Sequence, residues 1–325
     1  MRLLFLLLAP VVVVVVTPAR AAESDPYWAW RAPPKDATQV LDRTLNRKFA
    51  IGLAQLNKAS TTTMTCRAAV HPLIGPLRVT SDHFFRSEMR RWPMDRSPRS
   101  FDDRADFDAH SIYRDAPLLP FGSFVPLDPS LLVDDVVIGP DKIGHFFTNG
   151  LRAWETALDD ADGYAAAMRY GVDEENGWLG KGIDGVFSYG DLNAAAAGVR
   201  FYAQLCDENA PVLVRGDDGR WSLTRLFALA DWVDPCWDES FNPSAFTDAE
   251  DAAVRAGIAR EVCPLLDDRQ VQARRKRYQA RGCHARTQQV FHALIVDGVA
   301  PDPVSWNVET VCRASRSSGA VAAGR

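Results

Sequence analysis

Asp141 and His145 stand four residues apart in GPDKIGHFFTNGLRAWE, residues 139–155, with Lys142 between them. If other side chains enclose this pair, the carboxylate orients the imidazole and raises its pKa, giving a general acid/base near neutral pH. The same two groups can instead ligate a divalent metal, and Lys142 would then stabilise negative charge nearby. At about 100° per residue, Ile143, Phe146, Phe147, Gly150, Trp154 and Leu158 fall on one face of a helix starting at Pro140. Asp141, His145, Thr148, Arg152 and Glu155 fall on the other. His145 is therefore expected off the core face. It is either half of a solvated pair supported by the helix dipole, worth about 0.3–1 kcal/mol, or one wall of an interface.

A second carboxylate is expected to decide between these. In GVFSYGDLNAAAAGVRFY, residues 185–202, Asp191 projects into the apolar face made by Leu192, Ala195, Gly198, Val199 and Tyr202. An unpaired buried charge is very costly, so Asp191 needs a partner. Ser188-Tyr-Gly-Asp191 fits a capping box, which offers the plain answer; His145 offers the functional one. The small residues 194–198 suit close approach by another helix, and the 141–158 helix is the candidate. Glu174, Glu175 and Asp184 precede this helix, and Glu174 could join Asp141, His145 and Asp191 as metal ligands. Patterns such as H-E-x-x-H, G-x-S-x-G and a phosphate-binding glycine loop are absent from the sequence.

DKIGHFFTNG followed by GVFSYGDLNAAAAGVRFY resembles a pair of motifs in uncharacterised bacterial envelope proteins. The first is similar to the D-K-x-x-H-F signature of small envelope lipoproteins and, more distantly, to an element of VanZ-like membrane proteins. The likeness covers about 30 of 325 residues. It implies an envelope setting and weight for Asp141, Lys142, His145 and Asp191, without an activity. This chain departs from those groups, since it has neither a lipid-anchor cysteine nor membrane-spanning helices.

The positioning elements follow from pattern. Residues 1–21 pair Arg2 with a 14-residue apolar run and small residues up to Ala21. That is the form of a cleaved secretory signal peptide, too short to span a bilayer of about 30 Å comfortably. Its loss removes Arg2 and Arg20, moving the formal charge from −5 to −7, which argues against a nucleic-acid partner. The expected product is an exported, periplasmic or secreted protein with no transmembrane segment. Six cysteines in an oxidising compartment imply up to three disulfides, in any of 15 pairings. The fold class expected is mainly α: a multi-helix globular domain with a small β-hairpin near 212–223 and long irregular segments.

Residues 22–36 read as an extended arm and 37–313 as the helical domain, with a sub-boundary near 207–245. Residues 314–325 read as a disordered tail. Apolar positions 41, 45, 49, 53 and 56 mark a helix, DHFFRSEMRRW a short one, and 93–140 an irregular connection. LTRLFALADW reads as helical, and Thr247-Asp-Ala-Glu250 as a helix start. The basic stretch 269–286, with seven arginines and lysines and no acid, is either a solvated helix face or a surface for an anionic lipid, glycan or acidic protein. Two functional readings stand. One is a structural or binding protein whose two motifs join helices; the other is a secreted hydrolase or metal-dependent enzyme using His145 with Asp141 and Asp191.

Overall fold

The computed structural model describes residues 24–78, 109–116, 130–158, 160–177, 180–182 and 185–323. The expected signal peptide, the DHFFRSEMRRW segment and Asp184 lie outside them.

The protein is mainly helical, with a few short antiparallel hairpins and three disulfides. Helix α1 (Thr38–Ala59) buries Leu41, Leu45, Phe49, Gly52 and Leu56, a stripe at helical spacing, against α2 (Cys66–Arg78). Strands β1 (Leu131–Val133) and β2 (Val136–Ile138) form an antiparallel hairpin whose turn residues Asp134 and Asp135 have φ of 48° and 66°. This hairpin falls inside the stretch expected to be irregular. Its two turn aspartates belong to the few residue types that tolerate left-handed backbone.

Next comes α3 (141–157), an α-turn Asp141–Gly144, a π-turn His145–Asn149 and an α-helix Gly150–Ala157. It is followed by α4 (Gly163–Asn176), β3 (Val186–Phe187) and α5 (Tyr189–Leu205). Helices α3 and α5 pack backbone to backbone. A Cβ added at Gly198 would sit 2.1 Å from the Phe146 carbonyl oxygen and 3.0 Å from Gly150 Cα. The small residues that suggested a close helix crossing are thus used for one. Tyr202 donates from its hydroxyl to the Phe147 carbonyl at 2.6 Å, one of the carbonyls in the π-turn. A rosette of Phe49, Phe146, Phe147, Phe201 and Phe227 fills the core beneath.

The 212–223 hairpin forms as expected, with β4 (Leu213–Arg215) against β5 (Trp221–Leu223). The segment after it is not the helix that LTRLFALADW suggested: only a 3-10 turn, Leu229–Asp231, interrupts it. Tertiary partners take its backbone groups. Asn46 bonds both the Phe227 N–H and C=O, and Asp42 accepts from Leu229 N–H. Leu213, Trp221, Phe227, Leu229, Val233 and Trp237 all join the main core.

After β6 (Ala245–Phe246), which pairs with β3, come α6 (Asp248–Gly257), α7 (Arg269–Arg281), α8 (Ala285–Val296) and α9 (Val308–Ala323). Thr247 is the N-cap of α6 as its sequence implies, without a side-chain cap bond. A smaller cluster joins Tyr27, Trp30, Ile112, Tyr113, Val254, Ile258, Val271, Val308, Val311 and Cys312. Two expectations change here. The N-terminal arm is a 3-10 turn, Pro26–Trp30, with Tyr27 and Trp30 buried and Asp25 accepting from Tyr27 N, Ser111 Oγ and Ile112 N. The tail from residue 314 continues α9, because buried Val308 and Val311 and the Cys263–Cys312 disulfide anchor its first turns. The other disulfides are Cys66–Cys206, which ties α2 to the end of α5, and Cys236–Cys283. Among the described residues no helix is long and apolar enough to cross a membrane.

Candidate functional site

Lys142 is 0% exposed, an unusual condition for a lysine and tolerable only with charge partners. It has three. Nζ donates to Asp141 Oδ2 at 2.6 Å and to Glu239 Oε1 at 2.8 Å, and makes an ion-pair contact with Asp191 Oδ1 at 2.8 Å. His145 completes the group, with Nε2 3.5 Å from Asp191 Oδ2. Four of the sequence candidates, Asp141, Lys142, His145 and Asp191, are therefore brought together.

Each arrives for a local reason. Pro140 precedes the first turn, as its fixed φ allows, and starts α3 so that Asp141 and Lys142 face inward. His145 N–H bonds the Asp141 carbonyl, so His145 stands one turn above Asp141 on the same face of α3, and it is half-buried, its side chain 17% exposed; the π-turn begins at His145. On α5, Ser188 is the N-cap: its Oγ accepts from Asp191 N at 3.0 Å. The return half of the capping box is absent. The Asp191 carboxylate turns to Lys142, and Glu175 Oε2 accepts from Ser188 N at 3.2 Å in its place. Gly190 makes the fit feasible, since a Cβ there would lie 2.9 Å from both Lys142 Cε and Glu239 Cγ.

Glu239 was not among the sequence candidates. It follows the 3-10 turn Pro235–Trp237, fixed by the Cys236–Cys283 disulfide, and its Oε1 also accepts a short hydrogen bond from Ser188 Oγ. Its neighbours carry it into the site: Tyr27 donates to the Glu239 carbonyl and Trp30 to Ser240 Oγ. The available signal was an acidic pair inside a cysteine- and tryptophan-containing stretch, DPCWDES.

The charges do not balance. Three buried carboxylates face one ammonium and the half-buried His145 imidazole. Burial pushes the Asp191 carboxyl up to about 7; Lys142 opposes this, while the negative charge of Asp141 adds to it. Burial also works against ionised Asp141, but the Lys142 and His145 charges win and hold its carboxyl below the ordinary range. Glu239 is raised by burial, with Lys142 opposing and both aspartates adding. Asp191 and Glu239 are thus the two carboxyls held above their ordinary range. The Asp141 and Asp191 carboxyls also interact with each other, and Glu239 Oε2 is buried without a hydrogen-bond partner.

One ligand atom each from Asp141, His145 and Asp191 lie within 4.8 Å of one another. Glu174, the fourth residue of the sequence-based ligand set, is not with them. It lies 3.8 Å from Arg152 and bonds the Tyr170 hydroxyl, because α4 directs it to the outer side of α3. Asp234, Cys236 and Cys283 also lie close together, but the two cysteines are a disulfide and offer no thiolate.

The basic stretch 269–286 turns four arginines to partners within the chain. Arg274 donates to the Ala29 carbonyl, Arg275 pairs with Glu309, Arg277 with Asp135 and Arg281 with Asp134. His284 caps α8, accepting from Thr287 N. The chain matches no family model, and no curated protein or solved structure is found similar to it.

Proposed function

We propose that this chain is an exported protein of the bacterial envelope, periplasmic or secreted, with a structural or binding role. In this reading the DKxxHF and SYGD segments form a buried ionic lock joining α3, α5 and the 235–240 loop. The observation that carries it is the enclosure of Lys142: the ammonium touches three carboxylates and is closed to a substrate. Three disulfides support an oxidising compartment, and the N-terminal arm is built into the fold from Ser24 onward. Expression with the native leader, followed by fractionation and intact-mass measurement, tests it. The expected product begins near Ala22, carries three disulfides and appears outside the cytoplasm. A full-length, reduced, cytoplasmic product would sink the reading.

The second reading, a secreted hydrolase or metal-dependent enzyme, is favoured by one observation. His145 is the partly exposed member of the group and has Asp191 behind it, as a base needs an orienting carboxylate. It requires a hydrolytic activity that His145→Ala abolishes while the unfolding midpoint stays in place.

A further inference from the structure

We infer that Asp141, His145 and Asp191 bind a divalent transition-metal ion of the zinc class beside the Lys142 lock. The inference goes beyond the proposed structural role and does not require the chain to be an enzyme.

Geometry is the first support. The 3.5 Å between His145 Nε2 and Asp191 Oδ2 is long for an N–H···O hydrogen bond, which centres near 2.9–3.0 Å. It matches the separation of about 3.4 Å between two ligands that each sit about 2.1 Å from a tetrahedral ion. Asp141 supplies a third ligand atom within the same 4.8 Å group.

The distribution of oxygens is the second. Lys142 engages one oxygen from each aspartate, Asp141 Oδ2 and Asp191 Oδ1. The other Asp191 oxygen, Oδ2, is the one that faces the imidazole. On Asp191, lock and ion can thus use different oxygens of the same carboxylate.

Charge is the third. With the imidazole neutral, as a metal ligand must be, ionised Asp141, Asp191 and Glu239 carry −3 and Lys142 returns +1, leaving −2 inside the protein. A divalent cation cancels it. Imidazole with carboxylate oxygens suits zinc and its neighbours better than calcium, which takes six or more oxygens. Three protein ligands leave a fourth position for water.

The test uses the full mature chain with its disulfides intact, stripped with a chelator and titrated with zinc chloride by calorimetry, with bound metal counted by mass spectrometry. One ion per chain is expected. His145→Ala should weaken binding by more than about 100-fold, since removing even a group that only orients a ligand costs 10–100-fold. Its circular dichroism and unfolding midpoint without metal should match wild type, because it leaves the Lys142 contacts intact. Asp191→Asn should also lose the ion, and if it fails to fold, His145→Ala decides alone. Glu174→Gln, on the far side of α3, should bind as wild type does. No uptake by wild type at 1 mM zinc, full binding by His145→Ala, or loss of binding in Glu174→Gln would each overturn the site. Absence of zinc binding together with a strongly destabilised Lys142→Met would leave the ionic lock standing without the ion.

Discussion

Replacing Lys142 by methionine keeps the length and apolar stem of the side chain and removes only the ammonium. In the folded state this strands Asp141, Asp191 and Glu239, whose side chains are 11, 8 and 2% exposed. Breaking a buried ion pair by deleting one partner costs about 3–5 kcal/mol. A second route gives the same size. The stranded group must take up one more proton, and protonating a carboxyl of pKa about 4 at pH 7 costs about 1.36 kcal/mol per unit, or roughly 4 kcal/mol.

Urea unfolding with the disulfides intact measures it directly; in a thermal scan the midpoint should drop by roughly 6–10 °C for a chain of this size. The pH dependence identifies the cause. The folded variant binds one proton more than wild type, so its deficit shrinks as pH falls, by about 2.7 kcal/mol between pH 7 and 5. Lys142→Met combined with Asp191→Asn should lose less than the two single changes added together, since the amide removes one of the stranded charges. A variant within 1 kcal/mol of wild type at pH 7, or one whose deficit is the same at pH 5, would refute the lock.

Gly198→Ala must push α3 and α5 apart, because its Cβ would lie 2.1 Å from the Phe146 carbonyl. A loss of at least about 1–3 kcal/mol is expected, read as a shift in urea midpoint, and an unchanged midpoint would mean the helices cross less closely. Opening the Cys66–Cys206 bridge by paired serine substitution frees a separation of 140 residues, against 49 for Cys263–Cys312. Loop entropy makes these worth about 5 and about 4 kcal/mol, so the first pair should cost more; the reverse order would show that native contacts, not loop length, set the values. Burial raises Asp25 and Asp238 to about 6, against their hydrogen bonds, and Asp191 to about 7. Folded pKa values above the unfolded ones mean that the native state binds more protons from about pH 4 to 7. Stability of the metal-free protein should therefore fall as pH rises through that window, and a urea midpoint that climbs from pH 5 to 7 would contradict it.

Much of this was legible in the chain. The spacing of Leu41, Leu45, Phe49 and Leu56 specified α1, and the turn glycines at 216 and 219 placed the 212–223 hairpin between two short apolar runs. Asp191, set among apolar positions on its helix, announced that it needed a partner. Local periodicity carries these facts because they depend on neighbours three or four residues away.

What only the tertiary structure decided were the partners. No local pattern could show that Asp191 would leave its capping box for Lys142, or that Glu175 would take over Ser188 N–H. Glu239 lies 97 residues from Lys142 in sequence, and the contact of His145 with Asp191 depends on how α5 crosses α3. The 223–232 segment, with helical character of its own, yields its backbone groups to Asn46 and Asp42. Local propensity is worth tenths of a kcal/mol per residue, while an unpartnered buried charge costs several. The chain therefore settles where its buried charges find each other, and sequence spacing alone does not record that place.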